Sequence, residues 1–182
     1  KDEAFVERKI VEHFAPALER LQAMLRRDGS EMLYYLALDD GLILWHIAGN
    51  SQHARSVFLP RTELKAKVAA LRDSVASRDA KFDEKAAREL FLYLIQPALG
   101  WIKGTQLILV PHAELHDLPF AALLAPSGQS LGEMFALSDA PNAGLLLDLK
   151  KGDALSRVRL FAAADPGIEA ARGEVEAVAA LY

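Results

Sequence analysis

The chain has 182 residues, 52% of them hydrophobic and 25% charged, which is enough apolar surface for a substantial core and excludes a chain disordered by composition. A formal net charge of -4, with basic residues scattered along the sequence, leaves no electrostatic footprint for DNA or RNA. The apolar runs fall far short of the roughly 20 residues a membrane helix needs, no basic-then-apolar leader opens the chain, and cysteine is absent, so a soluble protein of the reducing cytoplasm is expected.

The first element spans Ala4 to Arg27, where Phe5, Ile10, Val11, Phe14, Leu18, Leu21 and Leu25 recur at spacings of three, four and seven, the pattern of an amphipathic helix. Pro16 is expected to bend it, and Asp28-Gly29-Ser30 closes it with a glycine suited to a left-handed cap. Met32 to Leu38 and Leu42 to Ala48 are rich in β-formers and flank Asp39-Asp40-Gly41. That is a hairpin signal, because an Asp-Gly step tolerates the positive φ that tight turns require. Ser56 to Leu59, bounded by Pro60, is expected to add a third strand.

From Thr62, a plausible cap, the period lengthens, and Leu64, Val68, Leu71 and Val75 mark one helical face. A second helix is expected from about Asp83 to Gln96, with Ala87, Leu90, Phe91, Leu94 and Ile95 inward and Pro97 ending it. Gln106 to Val110 then forms a buried strand that stops at Pro111, and after a polar turn Leu118-Pro119-Phe120 opens an alanine- and leucine-rich helix. Glu133 to Ser138 is a further strand, and Pro141 begins a helix ending near Lys150. The charged link Lys150-Lys151-Gly152-Asp153 precedes another apolar strand, Arg157 to Ala163, and a final helix. Strands alternating with helices after the opening hairpins predict an α/β fold with a mainly parallel sheet covered by helices on both faces. No period near 34 residues recurs, so the leading helix does not by itself declare a repeat.

Three blocks, in order, carry a resemblance: EMLYYLALDDGLILWHI from Glu31 to Ile47, LILVPHAELHDLPFAALL from Leu107 to Leu124, and RLFAAADPGIEAARGEVEAVAAL from Arg159 to Leu181. They resemble the CHAT domain, a bacterial caspase- and separase-like cysteine peptidase module often fused to tetratricopeptide repeats, in which the central block reads roughly LIIVPDGxLxxLPFxAL. The resemblance implies a caspase-like fold and a division of the chain. Residues 1–29 would be a leading helix or linker from an upstream helical region, 30–150 the N-terminal pseudo-caspase subdomain, and 151–182 the first strand and helix of the catalytic subdomain. The family's dyad His lies in an HxATHG-like strand end and its Cys in a later SACxT-like strand end, and neither motif is present. With no cysteine in the chain, a cysteine nucleophile on this polypeptide is excluded. The start at Lys1 and the stop at Tyr182 within a helical pattern are expected of a fragment or cleaved product.

Among candidate functional residues, Asp165 follows an apolar strand, where open α/β sheets place their binding crevice, so it is expected to border a substrate cleft. Its plainer reading is a loop residue with helix-start chemistry in Asp165-Pro166-Gly167. Glu174 and Glu176 are expected on solvated helix faces, and Asp39 and Asp40 in a turn. His112 and His116, with Asp117 beside them, have a spacing that ligates metal when both imidazoles share a helix face, but Pro111 and the turn-like context argue against a helix there. The dyad His of the family is a different residue, so neither inherits a catalytic role. A phosphate-binding Gly-x-x-x-x-Gly-Lys loop and a Gly-x-Gly-x-x-Gly fingerprint are absent, and no cofactor or resident metal is expected. Tyr34, Tyr35, Trp45, Tyr93 and Trp101 fall within strand and helix patterns and read as core.

The expected function is therefore the N-terminal portion of a CHAT caspase-like cysteine protease, with no catalytic residue on this chain. Its expected partners are a protein substrate, an upstream sensor or tetratricopeptide-like region and the missing catalytic half, without nucleic acid or membrane. The alternative is a non-catalytic CHAT-like scaffold or protein-interaction module.

Overall fold

A computed structural model of the chain describes residues 18–77 and 80–149. The chain separates into two compact units, Lys1–Leu147 and Asp148–Tyr182. The expected strand at Arg157 to Ala163 and the helix after it lie outside the described residues. So does the bend expected at Pro16.

Helix α1, described over 18–28, ends at Gly29, whose φ of +65° is the left-handed cap a glycine supplies without a Cβ clash. The chain passes directly into β1 (Ser30–Ala37), which pairs antiparallel with β2 (Leu42–Ile47), and β2 in turn pairs antiparallel with β3 (Gln52–Val57). The β1–β2 turn is closed by Leu38 N–H donating to the Gly41 carbonyl at 2.8 Å. Gly41 does not adopt the positive φ expected of it, since among the described glycines only Gly29 and Gly128 do so. Its requirement is space: a Cβ there would lie 2.5 Å from the Val57 carbonyl oxygen. The third strand begins earlier than expected. The turn from Ala48 to Ser51 sets a register pairing Ile47 with Gln52 and Leu42 with Val57, which draws a polar segment into the sheet as an edge strand.

Helix α2 (Arg61–Ala76) buries Leu64, Val68 and Leu71, but it starts behind Pro60 with no side-chain cap, so Thr62 is an internal helix residue. Val75, in the last turn of the helix, is exposed. Helix α3 (Glu84–Leu94) is capped by Asp83, whose carboxylate accepts from Ala86 N–H at 2.9 Å, and buries Ala86, Ala87, Leu90, Phe91 and Leu94. Strand β4 (Gln106–Val110) lies between β1 and β5 (Ala136–Asp139) and runs parallel to both. The order is β3-β2-β1-β4-β5, two antiparallel pairings followed by two parallel ones. The fold is thus α/β with helices flanking a mixed sheet, and it is only partly parallel because the two hairpins contribute as many pairings as the crossovers.

The helix expected to open at Pro119 is not formed. The segment after β4 is made of two short 3-10 turns, Ala113–Asp117 and Phe120–Ala122, with Leu115, Leu118, Phe120 and Leu123 buried. Pro126 and Gly128 interrupt the apolar run before a helix can propagate. Glu133, expected in a strand, lies in the short helix α4 (Leu131–Met134) and closes a capping box with Ser130. Helix α5 (Ala143–Leu149) follows β5.

Strand alternation sorts the core. Leu33, Tyr35, Leu44, Leu107 and Leu109 pack on one side with α2 and α3, while Met32, Trp45, Ile47, Ile108 and Val110 pack on the other with Leu21, Met24 and Leu25 of α1 and Ala143 of α5. Each fully buried aliphatic or aromatic side chain contributes about 1.5–3 kcal/mol. Tyr35 is wholly buried and its hydroxyl donates to the Leu94 carbonyl at 3.1 Å, so the ring's burial leaves no donor unmet. No helix among the described residues is long and apolar enough to cross a membrane.

Candidate functional site

Two places in the described structure gather polar side chains against the sheet. The first is the carboxyl rim of the parallel strands, where α/β sheets bind ligands. Pro111 ends β4, and His112, in extended conformation, turns its imidazole back so that Nδ1 accepts the Ala37 N–H at 3.1 Å. Nδ1 is thus the acceptor, and the ring is oriented by the end of β1. Ala113 follows with φ of +54°, a left-handed conformation that costs a residue with a Cβ about 1–3 kcal/mol. Glu114 accepts from Arg61 Nε at 3.1 and 3.3 Å, and Arg61 N–H donates to the Asp39 carbonyl at 3.1 Å. The start of α2 is thereby fastened to the rim.

His116 and Asp117 are exposed, and Asp117 lies 3.5 Å from Arg72. His112 precedes the 3-10 turn and His116 lies within it, so the two imidazoles share no helical face. Among the described residues no group of three or more His, Asp or Glu could hold a metal. A slot of about 240 Å³ opens beside this turn, apolar along Pro111, Leu115, Leu118 and Phe120, with His116 and Asp139 also lining it. Asp39 and Asp40 occupy the hairpin turn.

Sequence reasoning also passed over a serine motif. Gly128-Gln129-Ser130-Leu131-Gly132 has the Gly-x-Ser-x-Gly spacing of esterase nucleophiles. The structure gives it a different task. Ser130 Oγ donates to the Glu133 carboxylate at 2.9 Å and accepts from Glu133 N–H at 3.3 Å, so the hydroxyl is a helix cap with no imidazole as partner.

The second place lies at the opposite end of β1 and was not foreseen. Glu31 and His46 are both buried, with His46 wholly inaccessible, and His46 Nε2 meets Glu31 Oε2 at 2.6 Å. The other carboxylate oxygen accepts Lys103 N–H at 3.0 Å and Gly104 N–H at 2.6 Å. His46 Nδ1 is buried without a hydrogen-bond partner. Beyond the pair, His53 stacks on His46 and on Trp101, with centroids at 6.1 and 5.0 Å, and the Arg55 guanidinium lies over the same indole at 5.1 Å. Burial pulls the His46 imidazole below its usual range against the opposing pull of Glu31. Burial alone would raise the Glu31 carboxyl, but the hydrogen bonds from His46, Lys103 and Gly104 together hold it below the usual carboxylate range. The pair is therefore a carboxylate bonded to a neutral imidazole. The only sequence signal was the placement of Glu31 and His46 on the inward-facing side of adjacent strands.

The family model of the CHAT domain matches residues 84–182, from α3 through β4 and onward. The chain belongs to the CHAT domain family. It is thereby a member of the caspase-like peptidase group. No curated protein matches the chain significantly. Within the CHAT match, the block from Leu107 to Leu124 is the buried β4 strand and the 3-10 turns that seal the core beside it. Asp165, Glu169, Glu174 and Glu176 fall within the CHAT match but outside the described residues.

Proposed function

We propose that this chain is the N-terminal part of a bacterial CHAT caspase-like cysteine protease that hydrolyses peptide bonds in protein substrates, its Cys/His dyad lying outside these 182 residues. The observation that carries the reading is a CHAT match over residues 84–182 in a chain with no cysteine. In the complete enzyme a Cys thiolate attacks the peptide carbonyl, a His transfers the proton to the leaving amine, and backbone N–H groups stabilise the oxyanion. Residues 30–150 act as the pseudo-caspase scaffold. Residues 151–182 supply the first strand and helix of the catalytic subdomain, with Asp165 bordering the substrate cleft. Residues 1–29 lead from an upstream sensor or tetratricopeptide-like region. The setting is cytoplasmic, in regulated proteolysis of an immune-defence kind, without nucleic acid, membrane or cofactor.

The absence of cysteine also favours a second reading, a non-catalytic CHAT-like scaffold or protein-interaction module. Intact-protein mass spectrometry of material expressed from the complete reading frame, before and after iodoacetamide, separates the two. A thiol-bearing species that cleaves peptides and loses cleavage on alkylation supports the protease. A single unmodified species near 19.9 kDa leaves the scaffold.

A further inference from the structure

We infer that Glu31 and His46 form an acid-sensitive latch that holds the lead-in to β4 against the β1–β2 hairpin. The carboxylate is the hub. One oxygen meets the imidazole on β2, and the other takes the two consecutive N–H groups of Lys103 and Gly104, immediately before β4 begins. The approach is close: a Cβ at Gly104 would lie 3.2 Å from Glu31 Oε1, so the residue there is one that lets the backbone reach the carboxylate.

The trigger is the unpartnered Nδ1. A neutral imidazole uses its Nε2–H on Glu31 and leaves a lone pair on Nδ1. Protonation would place a second N–H on that atom, in a site with no acceptor and no exposed surface. Proton uptake at His46 is thus linked to opening of the site, where the imidazole reaches water. Of the influences on it, Glu31 favours uptake through its hydrogen bond and its charge, while burial, the largest, and His53 oppose it and prevail. His53 on β3 stacks on the ring, and Arg55 on the same strand lies over Trp101. Lys103 turns its ammonium to the Gly100 carbonyl at 2.9 Å, and Arg26 of α1 donates to the Gly49 carbonyl at 2.6 Å. Glu31, the acid among these described groups, has its three hydrogen bonds already made.

A group whose folded pKa is depressed contributes stability that is present above its ordinary value and lost as pH falls. For His46 the loss begins near the ordinary 6.5, and for Glu31 only near 4.5. The window that isolates the latch therefore runs from one unit above 6.5 to one unit below it, clear of the carboxyl's 4.5. Moving from one pH unit above 6.5 to one unit below it changes the opening equilibrium by up to about tenfold for one proton taken up only in the open state.

Hydrogen exchange of the Lys103 and Gly104 amides, measured by NMR on the full chain across that window and corrected for intrinsic rates, tests the latch without reference to peptidase activity. Wild type should lose about tenfold in protection, and His46→Gln, which still donates to Glu31 but does not titrate, should lose none. Equal loss in both, or none in wild type, overturns the inference. Should His46→Gln fail to fold, the wild-type imidazole decides: a His46 side-chain resonance that stays neutral one unit below 6.5 while the protein is folded supports the latch, and ordinary titration refutes it.

Discussion

Replacing Glu31 by Ala removes the one side chain that serves three donors at the base of β1: His46 Nε2, Lys103 N–H and Gly104 N–H. The imidazole donor is fully buried, and each buried group left unpaired costs about 1–3 kcal/mol, more where the lost partner was charged. Gly104 is half-buried, so water recovers part of its bond. The expected loss for Glu31→Ala is about 3–5 kcal/mol, a large share of a domain's usual 5–15 kcal/mol. Glu31→Gln keeps the shape and one carbonyl oxygen for the two backbone donors, but its amide faces the imidazole as a donor, so His46 must lose that bond or carry its proton on the unpartnered Nδ1, and about 1–3 kcal/mol is expected. Urea denaturation followed by far-ultraviolet circular dichroism gives both values, with an unchanged m-value required for the comparison. The reasoning is refuted if Glu31→Ala costs less than about 1 kcal/mol, or if the glutamine variant is as damaging as the alanine one.

Two further substitutions probe the packing. Gly41→Ala should destabilise by about 1–3 kcal/mol, because the new methyl would stand 2.5 Å from the Val57 carbonyl oxygen and must push β3 aside. A thermal midpoint equal to wild type would show that the hairpin yields freely. Phe91→Ala should cost about 3–5 kcal/mol through the cavity left between α3 and the sheet. The neighbouring Leu92→Ala, on the exposed side of the same helix, should stay within about 0.5 kcal/mol, and similar losses in the two by urea denaturation would contradict the assigned helix face.

Local chemistry made much of the fold legible in advance. β4 was readable because an unbroken apolar run of strand length ends at a proline that cannot extend the ladder, and α3 because Ala87, Leu90, Phe91 and Leu94 repeat at the helical period behind an aspartate cap. The CHAT assignment rested on the same local blocks, and the family match agrees with it. What failed depended on partners distant along the chain. Gln52–Val57 is polar, and it is a strand only because the turn before it delivers its backbone to β2. The Pro119 segment has helical composition, yet burial of Leu118, Phe120 and Leu123 against the shared core, with Pro126 close behind, favours short turns over a propagating helix.

The candidate sites divide the same way. That His112 and His116 lack a common helical face was readable from Pro111 and the turn residues. The Glu31–His46 pair was not, because fifteen residues separate the partners and the two backbone donors come from a loop more than seventy residues away. A sequence determines which residues prefer to be buried and which period they follow, since these are properties of neighbouring side chains. Whether a buried glutamate finds an imidazole and two amides, or stands unpaired, is decided only when the sheet brings β1, β2 and the start of β4 together.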